Sequence, residues 1–200
     1  MKKKIIFATS NEGKMKEVRS ILGDLDVEVL SMKEAGIFTE VVEDGATFEE
    51  NAAIKATKIQ EVCGEIVLAD DSGLEVDYLN KEPGIYSARY MGEDTSYAIK
   101  NKSLIDRLEG IEDERRTARF VCAIAAAFPD GTVEKTRGTI EGRIGYEEKG
   151  NGGFGYDPIF YVPEFSCTTA ELSLEQKNEI SHRGKALRLM KEIIKEKYDL

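Results

Sequence analysis

Two adjacent carboxylates define the chemistry to look for. In Leu68-Ala69-Asp70-Asp71-Ser72-Gly73-Leu74, the apolar run from Ile66 to Ala69 reads as a buried strand that stops at two acids, a serine and a glycine. Reactive groups in open α/β sheets gather beyond the carboxyl ends of strands, so this placement suits a metal ligand or a general base. If the chain stays extended through the pair, Asp70 and Asp71 face opposite ways and divide the work, one structural and one reaching substrate. A solvated turn after a strand accounts for the same residues about equally well.

Three further groups of residues could act with those acids. Thr9-Ser10-Asn11 follows a first strand and opens a helix from Glu12, the geometry in which backbone N–H groups and the helix dipole meet a phosphate. Lys14 lies in the first turn of that helix, where a cation opposes the dipole and gains from an anion beside it. Gly150 to Gly155 spells G-x-G-x-x-G, but Tyr156 to Pro163 after it reads as extended rather than helical, which excludes a dinucleotide fingerprint. What remains is a glycine loop presenting Phe154, Tyr156 and Asp157, a surface on which a nucleobase can stack and hydrogen-bond. Ser181-His182-Arg183-Gly184 places the only histidine beside an arginine at the start of the last helix.

The elements that must carry these residues alternate in type. Lys4–Ala8 and Val27–Leu30 read as strands around a helix from Glu12 to Leu22, whose Met15, Val18, Ile21 and Leu22 share one face. Glu40 to Gly45, including Glu43, is an acidic connection. Thr47-Phe48-Glu49-Glu50 is a capping box for a helix reaching Val62. Leu74–Asp77 alternates like a half-exposed strand, Pro83–Tyr90 is an aromatic-rich loop, and Tyr97–Leu108 is a helix. Ala118–Phe128 and Thr132–Thr136 flank a Pro-Asp-Gly turn, so that pair is antiparallel and the sheet mixed. Ser173 caps a short helix with Lys177, and Leu187, Met190, Ile193 and Ile194 line one face of the final helix.

Composition narrows the partners. The chain has 200 residues, 41% hydrophobic and 33% charged, enough for one domain with a sizeable core. No apolar run approaches the ~20 residues of a membrane span, and Ile5-Ile6-Phe7-Ala8 is too short for a signal h-region, so a cytoplasmic protein is expected. A net charge of −10 argues against a nucleic-acid surface. An anionic ligand must then be held by a local cluster of cations and N–H groups, with a metal. Cys63, Cys122 and Cys167 lack metal-type spacing and read as reduced, mostly buried thiols.

Five landmarks carry a resemblance. They are Thr9-Ser10-Asn11-Glu12-Gly13-Lys14, Leu68 to Leu74, Pro83-Gly84-Ile85-Tyr86-Ser87-Ala88-Arg89, Gly152-Gly153-Phe154-Gly155-Tyr156-Asp157-Pro158 and Ser181-His182-Arg183-Gly184. In this order, and along nearly the whole chain, they resemble the non-canonical purine nucleoside triphosphate pyrophosphatases, the Ham1-like inosine/xanthosine triphosphatase family. Tyr156 stands where some relatives carry Trp.

The resemblance implies Mg²⁺-dependent hydrolysis of ITP, dITP, XTP and dXTP to the monophosphate and pyrophosphate, which cleanses the nucleotide pool. The implied protein is a homodimer that takes a small-molecule nucleoside triphosphate, with neither nucleic acid nor membrane as partner. Its implied fold is α/β, a long mixed central sheet flanked by helices. Residues 1–200 would form a single domain of two lobes, without a separable linker and with a cleft between the lobes. The family pattern makes Asp71 the catalytic base and, with Glu43, a metal ligand. It places the phosphates at Thr9, Ser10, Asn11, Glu12, Gly13 and Lys14, with Lys177 nearby and Ser72 touching substrate. Phe154, Gly155, Tyr156 and Asp157 would hold the base, and His182 with Arg183 would read its O6 edge.

Two alternatives remain at this level. One is a Maf-type pyrimidine-directed nucleotide pyrophosphatase, against which the Ser-His-Arg-Gly and Phe-Gly-Tyr-Asp elements speak. The other is a nucleotide-binding regulatory protein without turnover, for which an acid pair with Glu43 would be superfluous.

Overall fold

The computed structural model describes residues 2–198. Seven strands form one sheet: β1 (Lys3–Phe7), β2 (Val27–Ser31), β3 (Ile66–Val76), β4 (Thr117–Ala127), β5 (Val133–Ile144), β6 (Phe160–Val162) and β7 (Cys167–Thr168), in the order β2-β1-β3-β4-β5-β6-β7. β1 pairs in parallel with β2 and β3, whereas β6 pairs antiparallel with β5 and β7. The sheet is therefore mixed, as expected. The helices are α1 (Glu12–Leu22), α2 (Phe48–Cys63), α3 (Tyr97–Arg107), α4 (Leu174–Ile180) and α5 (His182–Tyr198).

The chain forms two compact units. The first holds the residues up to Asp71, Cys122–Gly138 and those from His182 on. Its core is built from Ile5 and Phe7 of β1, Leu68 of β3, Met15, Val18 and Leu22 of α1, and Leu187, Met190 and Ile194 of α5. Both helices bury the apolar stripe that their spacing sets on one side. Parallel strands covered on both faces need continuous apolar runs, and Ile66 to Ala69 supplies one. Truncating a residue such as Leu187 to alanine would cost about 2–5 kcal/mol.

The second unit holds Ser72–Val121 and Thr139–Ser181. Leu74, Val76, Leu104, Leu108, Ile144 and Phe160 are at its core. The buried Arg116 is satisfied by main-chain acceptors, donating from Nε to Ile144 O (2.8 Å), from Nη1 to Leu108 O and from Nη2 to Gly145 O (both 2.7 Å). A guanidinium so enclosed ties the end of α3 to the end of β5 through main-chain acceptors.

Four local expectations are corrected. The acid pair does not end a strand: β3 runs unbroken through Asp70, Asp71, Ser72 and Gly73, because Leu74 and Val76 continue the buried alternation. Gly73 serves close packing there rather than a turn, since a Cβ on it would lie 2.4 Å from Ser87 Oγ and 2.5 Å from Gly84 O. β5 is far longer than Thr132–Thr136, its charged alternation (Glu134, Lys135, Arg137, Glu141) having masked a strand half-exposed along its length. The stretch expected to be extended after the glycine loop begins with a 3₁₀ turn, Asp157–Ile159, before β6. At α2 the capping box is half formed. Glu50 N donates to Thr47 Oγ1 (3.1 Å), but the Glu50 carboxylate accepts from Ala46 N (2.7 Å) instead of the Thr47 N–H. The complete box is at α4, where Ser173 and Gln176 exchange bonds.

Candidate active site

In the first unit, the extended conformation of β3 turns the two acids apart. Asp70 is 2% exposed and meets Lys14 Nζ with both carboxylate oxygens (3.1 and 2.8 Å). Arg183 Nε donates to the same carboxylate at 3.2 Å, and Arg183 Nη1 reaches Glu17 at 3.2 Å. Burial alone pushes the Asp70 carboxyl up, but the Lys14 and Arg183 charges outweigh it and hold the group well below the usual carboxylate range. Burial likewise works against the Arg183 cation, and the Asp70 charge more than restores it. The anion that Lys14 requires in the first turn of α1 is thus supplied by the protein itself.

Asp71 is half-buried and accepts from Asn51 Nδ2 at 3.0 Å. Asn51, buried in α2, also accepts from Gly45 N at 2.8 Å, so one amide fixes both the catalytic candidate and the loop after Glu43. One turn along α2, Lys55 pairs with Glu43 (2.9 Å) and donates to the Asp70 carbonyl (3.1 Å). Asn51 and Lys55 were not singled out from the sequence. Their signal was there: two polar residues at i, i+4 in the otherwise small apolar run Asn51-Ala52-Ala53-Ile54-Lys55-Ala56.

Among the described residues no group of three or more His, Cys, Asp or Glu side chains is placed to hold a metal ion. Glu43 and Asp71 are nonetheless hard oxygen donors on this unit, and the Glu43 carboxylate with the Asp70 carbonyl already receives the ammonium of Lys55. That donor set fits a Mg²⁺ that keeps several waters and takes the rest of its oxygens from a phosphate. It would not fit a metal that requires a complete protein cage.

The phosphate-loop geometry differs in detail from a row of open donors. Asn11 caps α1, and its Oδ1 accepts from Gly13 N (2.8 Å) and Lys14 N (3.1 Å); Thr9 Oγ1 accepts from Asn11 N (3.1 Å). Three of the amides expected to face a ligand are therefore held by the loop's own side chains. Ser10 and Glu12 lie exposed within this loop, and Ser72 follows Asp71 on β3. His182 and Arg183 open α5 close against β5, where a Cβ on Gly138 would come within 2.1 Å of His182 O.

In the second unit the glycine loop is built around a buried acid. Asp157 Oδ2 accepts from Phe154 N (2.8 Å) and Lys177 Nζ (2.5 Å), and its Oδ1 from Thr169 Oγ1 (2.8 Å). Gly153 has φ of 72°, and any Cβ there would collide with Asp157 Oδ2 at 2.1 Å, so the loop admits only glycine at that point. The aromatics are not one continuous platform. Phe154 is 74% exposed, with Lys177 Nζ 5.5 Å from its ring centre, whereas Tyr156 is 4% exposed. Tyr156 sits edge-on to Tyr97 at 5.2 Å and donates its hydroxyl to Ser87 O at 2.7 Å. Asn101 on α3 donates to Gly155 O (3.2 Å) and Glu148 (2.7 Å), and its Oδ1 is the buried side-chain polar atom among the described residues that has no hydrogen-bond partner. Phe154 alone offers a stacking face, and Tyr156 and Asp157 hold the loop that carries it.

Comparison with known proteins bears on both halves. The model of the Ham1 family matches residues 5–193. A protein of Desulforamulus reducens called dITP/XTP pyrophosphatase is 51% identical over 195 residues, 98% of this chain and 97% of that protein. The structure of the Staphylococcus aureus Ham1 protein superposes with a TM-score of 0.90 at 42% identity, covering 98% of this chain and 100% of that one. A HAM1 protein from Coxiella burnetii also gives 0.90, at 39% identity over 97% and 99% of the two chains.

Proposed function

The chain belongs to the Ham1 family, and from that premise we propose that it hydrolyses non-canonical purine nucleoside triphosphates (dITP, XTP, ITP and dXTP) to the monophosphate and pyrophosphate, with Mg²⁺ as cofactor. The observation that carries this reading is the split between Asp70 and Asp71. One acid is neutralised by two cations, and its neighbour accepts a hydrogen bond from the neutral amide of Asn51. A carboxylate positioned within reach of a water is the group that general-base catalysis requires.

In this reading Asp71 removes the proton of a water that attacks the α-phosphorus. A bond forms from that oxygen to phosphorus, the bond to the bridging oxygen breaks, and pyrophosphate departs with the electron pair. Glu43 and Asp71 would hold Mg²⁺, which when bound supplies charge neutralisation on the triphosphate. Lys14 and the Thr9–Glu12 loop meet the phosphates, with Ser72 beside them. The glycine loop with Phe154 takes the base, and Lys177, expected near the phosphates from the family resemblance, stands beside the Phe154 ring. His182 and the donors of Arg183 not engaged by Asp70 and Glu17 meet the 6-oxo edge. A 6-oxo group accepts those bonds, while adenine's 6-amino group would set donor against donor and leave buried groups unpaired. The same reading includes a homodimer and a cytoplasmic setting; among the described residues no helix is long and apolar enough to cross a membrane.

Pyrophosphate release from dITP, XTP, ATP, GTP and dTTP, with and without Mg²⁺, tests the proposal. Turnover of dITP and XTP far above that of ATP and dTTP, and dependent on Mg²⁺, is expected. Equal turnover of all five, or a preference for dTTP, would overturn it.

A further inference from the structure

Pro83 to Arg89 is the one sequence landmark to which the reading above gives no task. Within it Ser87 is buried, 5% exposed. Ser87 Oγ accepts from Leu74 N of β3 (2.8 Å) and donates to Gly84 O (2.6 Å). Its carbonyl accepts the Tyr156 hydroxyl (2.7 Å). The next carbonyl, that of Ala88, is taken by Lys100 Nζ (2.7 Å), which pins this segment to α3.

Two features make this a mechanical joint rather than loop filling. The Leu74 amide would ordinarily donate to a carbonyl of a paired strand. Here a side-chain hydroxyl receives it, one residue from the isolated bridge that ties Glu75 to Pro83. Gly73 has no Cβ because Ser87 Oγ and Gly84 O press against it, so β3 cannot shift there without moving Ser87. Asp71 lies two residues upstream on that same continuous strand. Tyr156 lies one residue beyond Gly155 in the glycine loop, with its hydroxyl buried. A single residue thus grips the loop assigned to the base with its carbonyl and the strand of the assigned catalytic acid with its hydroxyl.

We propose that Ser87 is a positioning residue that couples seating of the purine on the glycine loop to the placement of Asp71. The coupling rests on the functional reading above and deepens it. A base that seats the loop correctly fixes Tyr156, Ser87, Leu74 and so the strand that delivers the carboxylate. A poorly seated base leaves that strand off position and turnover slow. Selectivity is then expressed in kcat as well as in KM.

The test is steady-state and single-turnover pyrophosphate release from dITP by Ser87→Ala, Tyr156→Phe, the double variant and Asp71→Asn, with thermal unfolding of each. Loss of the Ser87 hydroxyl is expected to lower kcat by about 10²-fold, the scale of an ångström-size misplacement, with KM changed by less than about threefold. Tyr156→Phe lowers kcat as well, and the double variant is no worse than Ser87→Ala, because both cuts interrupt one chain of contacts. Additive losses, or an unchanged kcat with only a lower melting temperature, would reduce Ser87 to a packing residue and overturn the proposal. If Ser87→Ala does not fold, Tyr156→Phe decides alone. A fall in kcat at constant KM supports the coupling, and a rise in KM at constant kcat refutes it. If Asp71→Asn is inactive while both other variants keep the parental kcat, the coupling fails and the function stands. If Asp71→Asn turns over within about tenfold of the parent, the assignment of the catalytic acid falls and the coupling falls with it.

Discussion

The two units solve one problem by different means. Each presents a lysine, partly open to solvent, from a buried aspartate. The Lys14 and Asp70 side chains are 27% and 1% exposed, and those of Lys177 and Asp157 are 28% and 6%. Around Asp70 the balance is ionic: Lys14 from α1 and Arg183 from α5 converge on a strand residue, so regular elements fix the geometry. Around Asp157 one cation is joined by a hydroxyl and a backbone N–H, so the acid also shapes the loop it sits in. A charge cluster between rigid elements suits a ligand part that never varies, such as a phosphate. A loop that its own acid shapes through one cation and two neutral donors suits the part that must be discriminated.

That contrast breaks most visibly on removing each acid. Asp70→Ala leaves the buried Arg183 guanidinium without its Asp70 counter-ion, next to Lys14, and is expected to cost about 3–5 kcal/mol in denaturant unfolding. Asp157→Ala frees a lysine that can turn to water and strands one hydroxyl and one amide, for about 1–3 kcal/mol. Equal losses would mean that the clusters do not differ in kind.

Acid titration sharpens the same point. The Asp70 carboxyl is held below its unfolded value, so its contribution is fully present above about pH 4 and is lost as pH falls toward its folded value. Urea unfolding followed from pH 6 downward should therefore show an acid-dependent loss in the parent that is smaller in Asp70→Asn. Identical slopes would contradict the assignment.

Smaller effects separate the phosphate and base ends in catalysis. Lys14→Ala should raise KM by about tenfold for dITP and for ATP alike, whereas Lys177→Ala, beside the Phe154 ring, should change the ratio between the two nucleotides. Arg183→Ala should narrow the ITP-to-ATP preference by about 1–3 kcal/mol if the guanidinium reads the base; equal loss for both would confine it to holding Asp70. The last of these is Asn51→Ala, which removes a hydrogen bond from a neutral amide to the Asp71 carboxylate. It should lower kcat severalfold while costing stability about 1.5–3 kcal/mol. An unaltered kcat would release Asp71 from its amide.

Much of this was legible in the residues. The apolar spacing of α1 and α5, the first two strands and the Ser173 cap follow from periodicity and capping chemistry, both of which act locally. The unbroken course of β3 was not legible, because Asp-Asp-Ser-Gly has turn composition and only the approach of Ser87 to Gly73 shows why a glycine stands in a strand. Arg183 illustrates the same limit. The family resemblance implied a base contact for it, while its counter-ions Asp70 and Glu17 lie 113 and 166 residues away in the chain. Long-range charge pairing leaves no periodic trace. Tyr156 and Asp157 were recognisable as important types, yet burial alone shows that they support the loop from beneath while Phe154 faces outward.

The central claim is that two neighbouring acids on one strand have separate duties, and the most direct measurement compares Asp71→Asn with Asp70→Asn. Single-turnover pyrophosphate release from dITP with Mg²⁺, paired with calorimetric dITP binding, reads chemistry and affinity apart. Asp71→Asn keeps the side chain's shape but cannot take a proton, so its rate should fall by at least ~10²–10⁴-fold with binding largely kept. Asp70→Asn should lose stability first and rate much less. An Asp71→Asn protein within about tenfold of the parental rate, or an Asp70→Asn protein as inert as its neighbour, would contradict the account.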